Sequence, residues 1–179
     1  MEYKEYFYDA PWGLLLQVMT VVSILLLLGM VAIGVYQRPD DQKIWDLVMI
    51  VVPLLTMAIA LLFTIRGYVL CRDALYVRRL GWSTRIDLAG LRQAEFDPEA
   101  TRRTIRRFGN GGLFCFAGYF KSKKIGPFRA FATDLRRAVV LSFADRVIVV
   151  TPGDPLAFVE RIRHLRGLPK ATVAPSSGP

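Results

Sequence analysis

Two long apolar runs open the chain and give way to short alternating ones. Residues 14–36 hold 23 positions without a charge, a helix of roughly 34 Å against a hydrocarbon core of ~30 Å. Residues 47–65 hold 19 more, roughly 28 Å as a helix. Both are predicted to cross a membrane, and the short polar connection at 37–43 requires an antiparallel hairpin. Ahead of them, Tyr3, Tyr6, Phe7, Tyr8 and Trp12 suit the headgroup layer, where amphipathic rings collect. Asp46 is expected to be an interfacial cap at the outer edge of the second helix, and Thr56 with Ala60 is a small-xxx-small pair of a kind common in membrane helices, with or without a helix contact.

From Gly67 the period changes to that of strands. Residues 67–72 and 74–80 predict a hairpin. Trp82, Thr84, Ile86 and Leu88 alternate with Ser83, Arg85 and Asp87, a half-buried strand, and 91–96 gives another. Residues 98–108 break the pattern and predict a helical turn or loop. The eight apolar residues 113–120 are too short to span a membrane and predict a buried strand, joined through Lys121–Lys124 to 125–132. Residues 139–143 and 147–150 predict a third hairpin. Asp154 as N-cap and Pro155 at the first helical position then start a helix. Phe158, Val159, Ile162 and Leu165 form its apolar face, and Gly167 and Pro169 stop it. The chain therefore divides into an N-terminal hairpin at 1–66, a mainly-β domain at 67–167 and a disordered tail at 168–179.

Charge separates these parts. Residues 1–65 hold three basic side chains (Lys4, Arg38, Lys43) and six acidic ones, leaving 21 basic and nine acidic to the rest of a chain that totals 24 and 15. Arg66, Arg72, Arg78, Arg79 and Arg85 closely follow the second apolar run, which orients both termini to the cytoplasm. A basic domain beside a membrane implies either an anionic neighbour, phospholipid or nucleic acid, or simply a solvated basic surface, and the anchor favours phospholipid. Cys71 and Cys115 sit in apolar runs without metal-ligand spacing and are expected to be reduced core thiols.

The densest chemistry lies between Arg102 and Arg129. Arg102, Arg103, Arg106 and Arg107 share one face if that stretch is helical, and Lys121, Lys123 and Lys124 form a hairpin tip. Together they are the candidate face for anionic lipid or a partner. The GNGG run at 109–112 lacks the GxxxxGK[ST] frame and reads as a glycine turn rather than a phosphate cradle. Nucleic acid is disfavoured, because core packing accounts for the aromatics that stacking needs. No set of residues has the spacing of a catalytic, cofactor or metal site. The single histidine, His164, stands one turn from Glu160 as an ordinary surface pair.

About seven short strands followed by an amphipathic helix is the ground plan of a pleckstrin-homology (PH)-like barrel, whose open end a terminal helix can plug. The runs YVLCRDALYVRRL, RIDLAGL, RFGNGGLF, GYFKSKKIGPFRAFAT and VIVVTPGDPLAFVERI resemble the bacterial PH domains of small membrane proteins with paired N-terminal helices. The resemblance covers residues 68–165. It implies a membrane-tethered binding or assembly module of the bacterial inner membrane, acting with a protein partner or further copies of itself, and not an enzyme. The inositol-phosphate site of eukaryotic PH domains falls near Arg72, Asp73 and Arg78, where Asp73 and the lack of a lysine cluster argue against carrying it over. The competing expectation is an accessory or regulatory subunit of a transporter or channel.

Overall fold

The computed structural model describes residues 5–37 and 43–169, so the hairpin connection and most of the expected tail lie outside the described residues. Strand β1 (Tyr6–Asp9) precedes the first helix (Leu14–Tyr36), and the second helix (Lys43–Leu62) leads into β2 (Ile65–Leu70). Then come β3 (Ala74–Arg79), β4 (Ser83–Asp87), β5 (Leu91–Phe96), β6 (Ile105–Gly111), β7 (Phe116–Ser122) and β8 (Gly126–Ala132). A 3-10 turn at Leu135–Arg137, β9 (Val139–Phe143), β10 (Val147–Val150) and a C-terminal helix (Pro155–Arg166) complete the order. Two helices long and apolar enough to cross a membrane are thus followed by a two-sheet domain and a closing helix, the expected architecture. The described residues hold ten strands, where about seven were expected.

One sheet has the order β1-β2-β3-β4 and the other β5-β9-β10-β8-β7-β6. Among the described residues only β10 with β8 is a parallel pair; the remaining neighbours are antiparallel. Strand β1 corrects the reading of Tyr6, Phe7 and Tyr8 as headgroup anchors, while Tyr3 lies outside the described residues. Tyr6 to Asp9 ladder against Leu70 to Gly67, and the Tyr8 ring meets Phe158 of the C-terminal helix edge-on at 5.1 Å. The helical hairpin is therefore an excursion between two neighbouring strands. The boundary expected at residue 66 falls inside β2.

The second helix also starts earlier and ends sooner than its apolar run. Lys43 and Asp46 lie in its first turn, and Ile65 opens β2. Its stretch Leu47–Val51 is π-helical, with Val52 N–H donating to the Leu47 carbonyl. Pro53 has no N–H to offer the carbonyl four residues back, which accounts for the widened turn. The two helices meet where Trp45 Nε1 donates to the Gly34 carbonyl at 3.0 Å. A Cβ on Gly34 would lie 2.6 Å from Met49 Cβ, so this approach depends on glycine.

The apolar runs of β9 and β10, interrupted by Ser142, have a direct cause: these central strands of the six-stranded sheet are covered on both faces. Leu141, Ile148 and Val150 point toward the four-stranded sheet and the C-terminal helix, packing with Leu75, Val77 and Phe158. Val140 and Val149 point the other way, with Phe116, Phe120, Phe128 and Ala130, and the lid on that face is Leu16 of the first helix. The C-terminal helix forms as its sequence requires: Asp154 accepts from Ala157 N–H at 3.0 Å, Pro155 takes the first turn and Gly167 closes it.

One buried polar knot ties the sheets together. Tyr68 of β2 donates its hydroxyl to the Phe131 carbonyl at 2.6 Å and accepts from Thr151 N–H at 3.2 Å. Thr151 Oγ1 in turn accepts from Thr133 N–H at 2.8 Å. Burial pushes the Tyr68 phenol up to about 12, which keeps it a neutral donor at any physiological pH.

Candidate functional site

The four arginines expected to share one helical face do not form one. Arg102 and Arg103 lie in the turn before β6, whereas Arg106 and Arg107 belong to β6 itself. The ladder shifts between Arg106 and Phe108, leaving Arg107 as a bulge. Arg102, Arg103, Lys123 and Lys124 do come together, around a shallow depression of about 450 Å³ that they share with Glu99. Part of this charge is already matched, by Arg102–Glu99 at 2.9 Å and Lys124–Asp97 at 2.6 Å. The exposed Arg102–Glu99 pair contributes ~0–1 kcal/mol, whereas Asp97, with a side chain 16% exposed, holds Lys124 from a more buried position. Lys121 stands opposite Ile105 in the ladder, and Arg106 folds back onto the Gly109 carbonyl at 3.3 Å. Across the molecule, the β2–β3 turn is engaged by the C-terminal helix through Arg166 Nη1 and Asp73 Oδ1 at 3.5 Å.

Strand β6 is the edge of its sheet and carries exposed apolar side chains. Ile105 is 71% and Phe108 75% exposed, and Tyr119 on the adjacent β7 is 53% exposed. An open edge with unpaired backbone groups is a template for another chain. The opposite edge of the sheet, β5, is taken up by the C-terminal helix, whose Arg163 donates to the Ala94 carbonyl at 2.6 Å.

The first helix is joined to the domain by more than its covalent link. Gly13 N–H donates to the Thr133 carbonyl at 3.1 Å, and Leu16 is fully buried. Thr20, 3% exposed, donates its hydroxyl to the Gly112 carbonyl at 3.0 Å and accepts from Phe114 N–H at 3.1 Å. Phe114 holds a left-handed backbone, φ +64°, a conformation that persists in a non-glycine residue where the surroundings enforce it. Here they are Thr20 and the ring of Trp12, 6.1 Å away.

On the other side of the β6–β7 turn a crevice of about 660 Å³ opens between the second helix and the sheet. Thr56, Ile59, Ala60 and Phe63 line it from the second helix, and Phe108, Leu113, the Gly109–Gly118 pair, buried Arg79, exposed Arg129 and Phe131 line it from the strands. Arg79 is 8% exposed. Its Nη1 donates to the Phe63 carbonyl at 3.2 Å, at the C-terminus of the second helix, where a cation complements the helix dipole. Its guanidinium lies over Phe63, Trp82 and Phe131 at 5.2, 5.9 and 5.6 Å. Burial pulls its pKa below the ordinary arginine value, yet a guanidinium stays charged in proteins. No carboxylate stands within ion-pair distance of it among the described residues, and its buried Nε has no hydrogen-bond partner.

In the sequence, Arg79 stands out only as one of the charges flanking the second helix. The missed signal is period 2: Leu75, Val77 and Arg79 share the inner face of β3, with Tyr76 and Arg78 on the outer one. Cys115 is fully buried and donates its thiol to the Phe63 carbonyl at 3.4 Å. Burial raises it to about 11, the condition of an inert thiol.

A cleft of about 570 Å³ also runs along the seam of β4, β8 and β10, lined by Arg85, Asp87, Arg129, Asp145 and Arg146 among others. Its charges are of both signs and select no ligand class.

Comparison with known proteins agrees with this geometry. Neither the curated proteins nor the solved structures yield a match. A family model described as a bacterial PH domain matches residues 66–165, the stretch from β2 to the last turn of the C-terminal helix. The chain belongs to the bacterial PH domain family.

Proposed function

We propose that the chain is a membrane-anchored binding and assembly module of the bacterial inner membrane, not an enzyme, with its PH domain on the cytoplasmic side. The observation that carries this reading is the way the domain is built around the helical hairpin. Strand β1 enters it and β2 leaves it as ladder partners, and Leu16 and Thr20 are buried against the six-stranded sheet. A domain held this closely keeps one orientation to the bilayer and offers the same surfaces to every partner. In this reading the open β6 edge, with Ile105 and Phe108, receives a protein by strand addition. The corner of Arg102, Arg103, Lys123 and Lys124 faces anionic lipid or an acidic partner, each basic residue contributing ~1 kcal/mol close to a charged surface.

A photo-activatable cross-linker placed at Ile105, and separately at Glu160 on the exposed face of the C-terminal helix, tests the assignment in native membranes. The expected result is one discrete protein adduct from Ile105 and none from Glu160. The same smear of products from both positions argues against an interaction edge at β6.

A further inference from the structure

The crevice under the second helix pairs two features that soluble domains keep apart. One wall comes from a helix long and apolar enough to lie in hydrocarbon, and the remaining lining holds two arginines, Arg79 buried and Arg129 exposed. Leaving a guanidinium buried without a carboxylate is costly, and the three rings around Arg79 recover only part of that cost, a cation–π contact contributing ~0.5–2 kcal/mol. Arg129, also without an ion pair among the described residues, lies over the same Phe131 ring at 4.8 Å and over Tyr119 at 5.7 Å. The charge lining the crevice is positive, and most of the remaining lining is apolar.

We propose that this crevice is a binding site for one anionic phospholipid, its phosphate held by Arg79 and Arg129 and its acyl chain laid along Ile59 and Ala60. The volume lies within the ~300–1,000 Å³ of small-molecule pockets. A planar guanidinium with several donors matches phosphate oxygens, which replace the solvent that Arg79 has lost. A free anion satisfies the charge but leaves the apolar wall uncovered, and a neutral lipid does the reverse. Only an amphiphile fits both. The site is separate from the exposed basic corner, although it rests on the reading of the hairpin as membrane-inserted.

The test uses the full chain in nanodiscs of phosphatidylcholine, alone or mixed with phosphatidylglycerol, read by native mass spectrometry and thermal unfolding. The wild-type chain is expected to retain one phosphatidylglycerol and to melt higher in the mixture, with inorganic phosphate giving no shift. Arg79→Met is expected to lose retention by about tenfold or more, the scale of a charge-assisted bond, while melting no lower than wild type in phosphatidylcholine, since an apolar replacement removes the buried charge. Ile59→Trp leaves Arg79 in place and fills the chain path, and it is expected to lose the lipid too.

Retention unchanged in either variant overturns the proposal. So does a shift from phosphate alone equal to that from the lipid, or equal retention of phosphatidylcholine. Recovery of the chain in the soluble fraction, scored before reconstitution, marks failure of the membrane reading instead.

Discussion

Gly118→Val is expected to lower the stability of the domain by about 3 kcal/mol or more, the sum of a strained backbone and an overpacked contact. Gly118 holds φ +150° and faces Gly109, φ +106°, across the β6–β7 ladder. A Cβ on Gly118 would lie 2.8 Å from Gly109 Cα and closer still to the Phe108 carbonyl oxygen. Both obstacles are backbone, so no rotamer change relieves them. Marginal domains hold only ~5–15 kcal/mol in total, so the variant should melt well below wild type. Equal melting temperatures in detergent contradict the close strand approach.

The second large effect is expected at the junction of helix and sheet. Leu16→Ala should cost about 2–5 kcal/mol, since it empties a position at the centre of the outer core. Thr20→Val keeps the shape but strands the Gly112 carbonyl and the Phe114 N–H, each at about 1–3 kcal/mol. The double variant should leave the helices and the four-stranded sheet formed and release the β6–β7 turn. Amide hydrogen exchange reads this directly: residues 110–115 should exchange faster while β2 and β3 stay protected. Uniform protection, as in wild type, means that the first helix does not hold the turn.

How much of this was legible in the sequence depended on whether a segment's burial is local. The helices, the β2–β3 and β9–β10 hairpins and the capped C-terminal helix followed from run length, alternation and the Asp154–Pro155 start. Strand β1 did not. Four residues of mixed aromatic and polar character carry too little period to name a strand, and their partner lies 58 or more residues away across the hairpin. Strand β6 was read as a helical arginine face because its exposure on both sides removes alternation and its Arg107 bulge breaks the register.

The candidate site divides in the same way. The basic corner was visible as composition, although its grouping was not: the helical spacing of Arg102, Arg103, Arg106 and Arg107 was replaced by a turn and an edge strand. The crevice could not be read at all, because Phe63, Arg79, Phe108 and Arg129 converge only once the hairpin returns beside β6. What the sequence did hold was the place of Arg79 on the inner face of β3.

The most direct measurement of the account is sidedness, read with a membrane-impermeant maleimide on a chain whose partly exposed Cys71 is replaced by serine. Cys115 is buried and should stay silent. A cysteine at Tyr36, 91% exposed at the end of the first helix, should label from outside intact cells freed of the outer envelope. A cysteine at Lys123, on the basic corner, should label only in inside-out vesicles. Labelling of Lys123→Cys from the outside, or of both positions from the same side, contradicts a spanning hairpin that carries its PH domain on the cytoplasmic face.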